Sequence, residues 1–349
     1  MALNATPNRP PNVSSDESPN GSPIESPNPP VTSPTNTLAD VRANAPSYGG
    51  QAVIEGVMMR GPRFAALSVR APDGEIVTLV KKAEMPSARG GIFGWPIIRG
   101  ALSFWDSLTL GIGMLMRSAE ISMPDEEAPS KLSVNLAVAM GGLIAIGLFV
   151  VLPVYIAPFI LSALRLSGRF ATSLVELIIR LALLVGYVVT VSRMDDIQRV
   201  LQYHGAEHKV IWAWEHHHDD PALSKENWDR DAAVSLLSSK ASACSRLHPR
   251  CGTSFLFIVA LCSWLVFIFV STPNVVDRII FRLLLMPLVA GLSYELLKAS
   301  AGAEGTIWTI IKAPGIGLQK LTTREPDASQ IEVAAGSLSL LIEAERGVS

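Results

Sequence analysis

The stretch LSVNLAVAMGGLIAIGLFVVLPVYIAPFIL, residues 132–161, decides the class of fold to which this chain belongs. It contains no charged side chain. A helix needs about 20 predominantly apolar residues to cross the hydrocarbon core of a bilayer, so this run is long enough to span a membrane. Pro153 and Pro158 lie in its second half, where we expect them to kink or end the helix.

Three further apolar runs follow, at residues 174–192, 253–270 and 279–297. Each is close to the length that a crossing requires. The first of them carries Glu176 and Arg180, which are four residues apart and can pair on one helix face. The four runs predict an α-helical polytopic membrane protein with about four transmembrane helices, arranged as two hairpins at residues 132–192 and 253–298.

The overall composition agrees with apolar segments in lipid. The chain has 349 residues, of which 49% are hydrophobic and 17% charged. Soluble domains carry roughly 25% charged residues. The net charge of −2 gives no whole-chain attraction to nucleic acid, so we expect no nucleic-acid partner. The three cysteines indicate no disulfide framework.

The distribution of basic residues predicts the orientation in the membrane. With four spans, both termini and the loop at residues 193–252 lie on one side. The basic residues near span ends on that side are Arg117, Lys131, Arg193, Arg199, Lys209, Arg246, Arg250 and Lys298, and those of the opposite loops are Arg165, Arg169 and Arg278. The positive-inside rule makes the first side cytoplasmic. We therefore expect a multi-pass protein of the cytoplasmic (inner) membrane, with both termini cytoplasmic and membrane lipids as partners.

The segment before the first apolar run has three parts. Residues 1–46 are rich in Pro, Ser and Asn and predict a disordered tail. Residues 47–92 predict a small N-terminal β unit with a hairpin turn at Pro72-Asp73-Gly74. Residues 93–119 predict an amphipathic helix that lies in the membrane interface or is buried against the other segments.

The segment after the last apolar run, residues 299–349, predicts a cytoplasmic region with a C-terminal helix. Asp327 and Gln330 are spaced as a helix-capping pair. An amphipathic pattern follows them, so we expect this helix to pack on the β unit or on the 193–252 loop.

The 193–252 loop contains a possible metal-binding motif. His204, Glu207 and His208 read H-x-x-E-H, and on a helix the two histidines lie one turn apart on one face. Such a pair can hold one divalent ion, and zinc is the ion we expect first. A polar helix face without metal is the alternative interpretation.

Further ligands for the same ion lie elsewhere in the chain. His248 and Cys251, just before the third apolar run, offer an imidazole and a thiol, both normal zinc ligands. Glu295 is a carboxylate near a membrane span, where an acid is costly unless it is paired or functional. Glu215 is a further carboxylate that could complete a site, and the run at residues 216–218 is more typical of a solvated loop.

These residues support two functional hypotheses. In the first, the protein is a zinc-type hydrolase with Glu207 as general base and Arg60 or Arg250 stabilising developing negative charge. Its substrate would be a membrane-proximal peptide or a lipid-linked molecule. In the second, the protein is a non-catalytic scaffold or assembly factor for a protein partner, with a closed structural metal site or with none.

The chain also resembles the YqhQ-like family of bacterial membrane proteins. The blocks that carry the resemblance are GQAVIEGVMMRG at 50–61, HGAEHK at 204–209, HPRCGT at 248–253, SYE at 293–295, TTREPD at 322–327 and QIEVA at 330–334. They occur in the same order as in the family and cover residues 48–345. The resemblance implies a metal-dependent enzyme, since that is how the family is commonly described.

Overall fold

The computed structural model of the chain describes residues 48–83, 90–124, 130–270, 272, 274–303 and 305–347. The tail predicted for residues 1–46 lies outside these ranges.

The N-terminal β unit is a four-stranded antiparallel meander in the order β1-β2-β3-β4. Its strands are β1 (Gly49–Val53), β2 (Gly56–Arg60), β3 (Phe64–Arg70) and β4 (Ile76–Lys82). Gly74 adopts a φ of 91° in the turn between β3 and β4, a conformation that suits glycine. The predicted small sheet and its hairpin are confirmed.

The rest of the described chain is mainly helical. The α-helices are α1 (Pro96–Ser122), α2 (Lys131–Ile146), α3 (Leu152–Leu164), α4 (Arg169–Val191), α5 (Asp195–His217), α6 (Arg230–Ala241), α7 (Thr253–Phe267), α8 (Val275–Leu284), α9 (Met286–Gly302), α10 (Thr306–Thr322) and α11 (Ala328–Arg346). A π-helical turn, Gly147–Val151, joins α2 to α3.

The sheet buries a different set of side chains on each face, because successive strand residues point in opposite directions. Val57 and Met59 face a core built with α5, α6 and α11, which includes Trp214. Met58 faces the other way, against Met114 of α1. The C-terminal helix α11 therefore packs on the β unit and on the 193–252 region. Asp327 and Gln330 form the predicted capping box at its start.

Two helical segments are long and apolar enough to cross a membrane, residues 132–164 and α4. Many of their large apolar side chains are exposed, among them Leu143 (70%) and Phe159 (76%). The third predicted span corresponds to α7, an apolar helix of 15 residues. The run predicted as the fourth is divided at Leu285 into α8 and α9. The arrangement with four spans stays a prediction.

Helix α1 contains most of the amphipathic helix predicted for residues 93–119, and its position relative to a membrane stays a prediction. It packs closely on α9 at Gly100, where an added Cβ would lie 2.7 Å from the carbonyl oxygen of Gly291. Trp95 and Trp105 remain exposed on the same helix.

Candidate metal centre

The H-x-x-E-H motif lies in the middle of α5, where the predicted helical spacing is present. The rings of His204 and His208 are 4.5 Å apart between centroids and meet edge to face. Gly205 lies between them. An added Cβ there would collide with the backbone carbonyl oxygen of Arg324, so glycine allows the C-terminal segment to pass directly against the motif.

Cys251 comes from the loop before α7 and completes the cluster. Its Sγ lies 3.2 Å from Nε2 of His204. The donor atoms of His204, His208 and Cys251 all lie within 4.8 Å of one another. The backbone N–H of Thr253, in the first turn of α7, donates to the same sulfur over 3.4 Å. This contact at the start of a helix holds the sulfur in place beside the two histidines.

Both imidazoles are oriented by backbone carbonyls. Nδ1 of His204 lies 2.7 Å from the carbonyl oxygen of Thr322, and Nδ1 of His208 lies 2.6 Å from that of Arg246. A carbonyl oxygen can only accept, so each Nδ1 carries the proton and donates it. In the neutral form of either ring the lone pair is then on Nε2, as in histidines whose outer contacts prepare them for a metal.

The ionisation of the cluster fits the same role. Burial lowers the pKa of the His208 imidazole below its usual value, and the neighbouring Cys251 opposes this shift. His208 is therefore neutral near pH 7, as a metal ligand must be. Its Nε2 is buried and has no hydrogen-bond partner among the described residues.

Glu207 is buried beside these ligands, against strand β1. Burial raises the pKa of its carboxyl to about 7, against the opposing effects of His204 and of a hydrogen bond from the Gly50 backbone. An added Cβ at Gly50 would lie 2.8 Å from the Glu207 carboxyl carbon, so an alanine here would require the Glu207 side chain to shift. Oε2 of Glu207 has no hydrogen-bond partner among the described residues.

Comparison with known proteins assigns the chain to a family. The sequence model of the family described as "Protein of unknown function (DUF1385)" matches residues 95–344. The chain belongs to the DUF1385 family. It is also 31% identical, over 315 residues, to the uncharacterised protein YqhQ of Bacillus subtilis (strain 168), a match that covers 86% of this chain and 93% of that protein. The predicted YqhQ-like membership is confirmed. No solved structure matches the chain.

The donor set of this DUF1385 protein suits a zinc-type ion. Two imidazole nitrogens and one thiolate sulfur are common zinc ligands, and three protein ligands leave one of four tetrahedral positions for another group. The buried Nε2 of His208 carries a lone pair that could bind such an ion. His204, His208 and Cys251 are therefore the residues of the DUF1385 chain that could hold a divalent metal.

Two other predicted ligands have different partners. The backbone N–H of His248 donates to Gln319 Oε1 over 2.8 Å, and its Nε2 lies 3.3 Å from Glu215 Oε1. Its ring centroid is 5.8 Å from that of His208. Glu295 forms an ion pair of 2.6 Å with Arg99 of α1. The structure thus groups three of the five predicted ligands and engages His248 and Glu295 in other contacts.

The two predicted charge-stabilising arginines are also paired. Arg250 forms an ion pair with Glu215, and Arg60 forms one with Asp106 of α1. The run at residues 216–218 begins with His216, which is exposed and stacks on Trp212 with ring centroids 5.0 Å apart.

Several residues that support the centre were not predicted. The carbonyls of Thr322 and Arg246 belong to the main chain, which leaves no side-chain pattern in the sequence. Gln319 holds the His248 backbone through two hydrogen bonds of 2.8 Å. Leu318 and Lys320 flank it in α10, so its sequence neighbours gave no signal of this buried role.

Proposed function

We propose that this protein is a membrane-bound, metal-dependent hydrolase with its centre at His204, His208 and Cys251. The observation that carries the proposal is the convergence of these three donor atoms within 4.8 Å, with both histidines oriented by carbonyls so that Nε2 can bind. Zinc is the ion that this donor set fits best. When bound, it would supply Lewis-acid chemistry and activate water.

Glu207 is the proposed general base. A buried carboxyl with a pKa of about 7 is divided between its two protonation states near neutral pH, so it can accept a proton and return it. The Gly50 backbone holds the carboxyl in place. Arg250 adjoins Cys251 in the chain and is the nearer in sequence of the two arginines proposed to stabilise developing negative charge. Its ion pair with Glu215 fixes its position.

We place the centre on the cytoplasmic face of the inner membrane, in a multi-pass protein with both termini cytoplasmic. The exposed apolar side chains of residues 132–164 and α4 support membrane insertion. The basic residues near the ends of the predicted spans on this side, such as Arg193, Arg199 and Arg246, support the cytoplasmic side. The substrate would then be a membrane-proximal peptide or a lipid-linked molecule.

A structural metal site is the second candidate function. His208 and Cys251 are buried, and the cluster connects α5 to the loop before α7 and to the end of α10. An ion at this point would hold α5 against the loop before α7 in a scaffold that performs no chemistry.

The experiment separates metal binding from catalysis. Elemental analysis of the detergent-purified protein should find about one divalent ion in wild type and Glu207→Gln, and a large loss in His204→Ala. His216→Ala is the matched control, because this exposed histidine lies on the same helix and should leave the metal content unchanged.

Catalysis is tested in cells whose only copy of the gene encodes the Glu207→Gln variant. If the protein is a hydrolase, we expect the membranes of these cells to accumulate the same peptide or lipid-linked species as cells without the protein. If this variant keeps its metal and no species accumulates, the scaffold is the better description. If wild type carries no metal, both candidates are wrong.

A further inference from the structure

A second polar cluster lies at the C-terminal end of α7, away from Cys251. A cavity of about 100 Å³ is lined there by Arg169, Thr172, Ser173, Arg278 and Arg282, and we call it the arginine pocket. Helix α7 has 15 residues. At a rise of 1.5 Å per residue, the pocket is therefore about 22 Å along the helix from the candidate metal centre.

The pocket adjoins a buried group with excess positive charge. Glu176 forms an ion pair of 2.6 Å with Arg282 and a longer one of 3.4 Å with Arg180. Two guanidinium groups thus share one carboxylate. Arg180 also donates to the carbonyl oxygen of Phe149 over 2.9 Å, in the π-helical turn where the regular helix is interrupted.

Arg282 presents its remaining donors at the pocket. The side chain is 2% exposed and lines the cavity. Its Nε and Nη1 have no hydrogen-bond partner among the described residues. A buried guanidinium with unused N–H groups is costly unless an anion or another acceptor meets them.

Helix α4 adds positive potential at the same place. Its N-cap is Gly168, with a φ of 101°, and no side chain caps the first turn in the described part of the chain. The first-turn amides and the helix dipole favour an anion here. Arg169 begins this helix, and Arg278 is held nearby by a hydrogen bond of 2.9 Å to the carbonyl oxygen of Thr272.

We propose that the arginine pocket binds a phosphate group. Guanidinium groups present paired N–H donors that match the oxygens of a phosphate, and three arginines line this cavity. Its volume of about 100 Å³ leaves room for a tetrahedral oxyanion. The phosphate can belong to a lipid headgroup or to a free ion, because the same donors serve both.

The test uses the whole protein in nanodiscs of phosphatidylcholine. One arm adds inorganic phosphate, with potassium chloride at matched ionic strength as reference. The other replaces part of the lipid by phosphatidylglycerol without free phosphate. A phosphate-specific rise of the thermal unfolding midpoint supports a free ion in the pocket, and a rise with phosphatidylglycerol alone supports a lipid headgroup.

Variants test whether the rise of the unfolding midpoint comes from binding in the arginine pocket. The double variant Arg169→Gln, Arg278→Gln should raise the half-saturating ligand concentration by about tenfold or more, since each guanidinium supplies a charge-assisted hydrogen bond. Arg165→Gln is the matched control, because this exposed arginine lies on the same connection and does not line the cavity. The proposal is overturned if neither ligand raises the midpoint above the chloride reference, or if Arg165→Gln loses as much as the double variant.

Discussion

The candidate metal centre and the arginine pocket lie toward opposite ends of α7, and their unsatisfied atoms are of opposite kind. At the metal centre the atoms without a partner among the described residues include His208 Nε2 and Glu207 Oε2, which can accept hydrogen bonds or bind a cation. Among the residues that line the pocket they are the Nε and Nη1 groups of Arg282, which can only donate.

This difference has a simple chemical origin. Burial lowers the pKa of the His208 imidazole and so favours the neutral form, which a metal ligand requires. A guanidinium keeps its charge when it is buried, and it must find an anion instead. The two buried polar clusters therefore favour ligands of opposite charge.

The largest effect should follow from breaking the charge balance beside the pocket. Glu176→Gln leaves Arg180 and Arg282 buried without a carboxylate, and removal of one partner from a buried ion pair costs about 3–5 kcal/mol. We expect this loss in the free energy of unfolding measured by denaturant titration in detergent.

Glu295→Gln is the control for this prediction, since its ion pair with Arg99 is partly exposed. It should cost less than about 1 kcal/mol. Equal stability of Glu176→Gln and wild type would mean that the two buried arginines are compensated by another group.

The next effect concerns the cation ligands. Cys251→Ser replaces a thiolate ligand by a hydroxyl and should weaken metal affinity by more than about 100-fold, or ~2.7 kcal/mol, because loss of outer contacts alone costs about 10–100-fold. Competition with a chelator, followed by elemental analysis, measures the change. Cys244→Ser should bind metal as wild type does, since Cys244 lies outside the cluster. A similar loss in both variants would contradict the assignment of Cys251.

The smallest effect tests the contact between β1 and α5. Gly50→Ala places a Cβ 2.8 Å from the Glu207 carboxyl carbon, and this overpacking should cost about 1–3 kcal/mol of unfolding free energy. Gly49→Ala has no atom within 4 Å of the added Cβ and should be neutral. Thermal unfolding of the two variants in one detergent compares them directly. Equal midpoints would show that Glu207 does not depend on the close approach of β1.

Local pattern allowed the helical motif, the hairpin and the capping pair to be predicted. The spacing of His204 and His208 places both rings on one helix face, and the Asp327/Gln330 pair acts within one turn. The apolar run at residues 132–161 likewise required only its length and composition to be recognised as a candidate span. Each of these features depends on neighbours a few residues apart.

Long-range partners could not be predicted in the same way. Glu176 and Arg180 pair across one helical turn as expected, but the closer partner of Glu176 is Arg282, more than one hundred residues away. Arg60 and Glu295 were considered for chemistry, and the structure pairs them with Asp106 and Arg99 of α1. Nothing in sequence spacing specifies which charges meet across two packed helices.

The sequence by itself thus determined the helical class of the chain, its small sheet, its family and the two histidines of the candidate centre. Only the tertiary structure decided that Cys251 joins His204 while His248 turns to Glu215, and that two backbone carbonyls orient the rings. The physical reason is that periodicity fixes directions within one element, whereas the meeting of two elements is decided by which side chains and backbone atoms can approach.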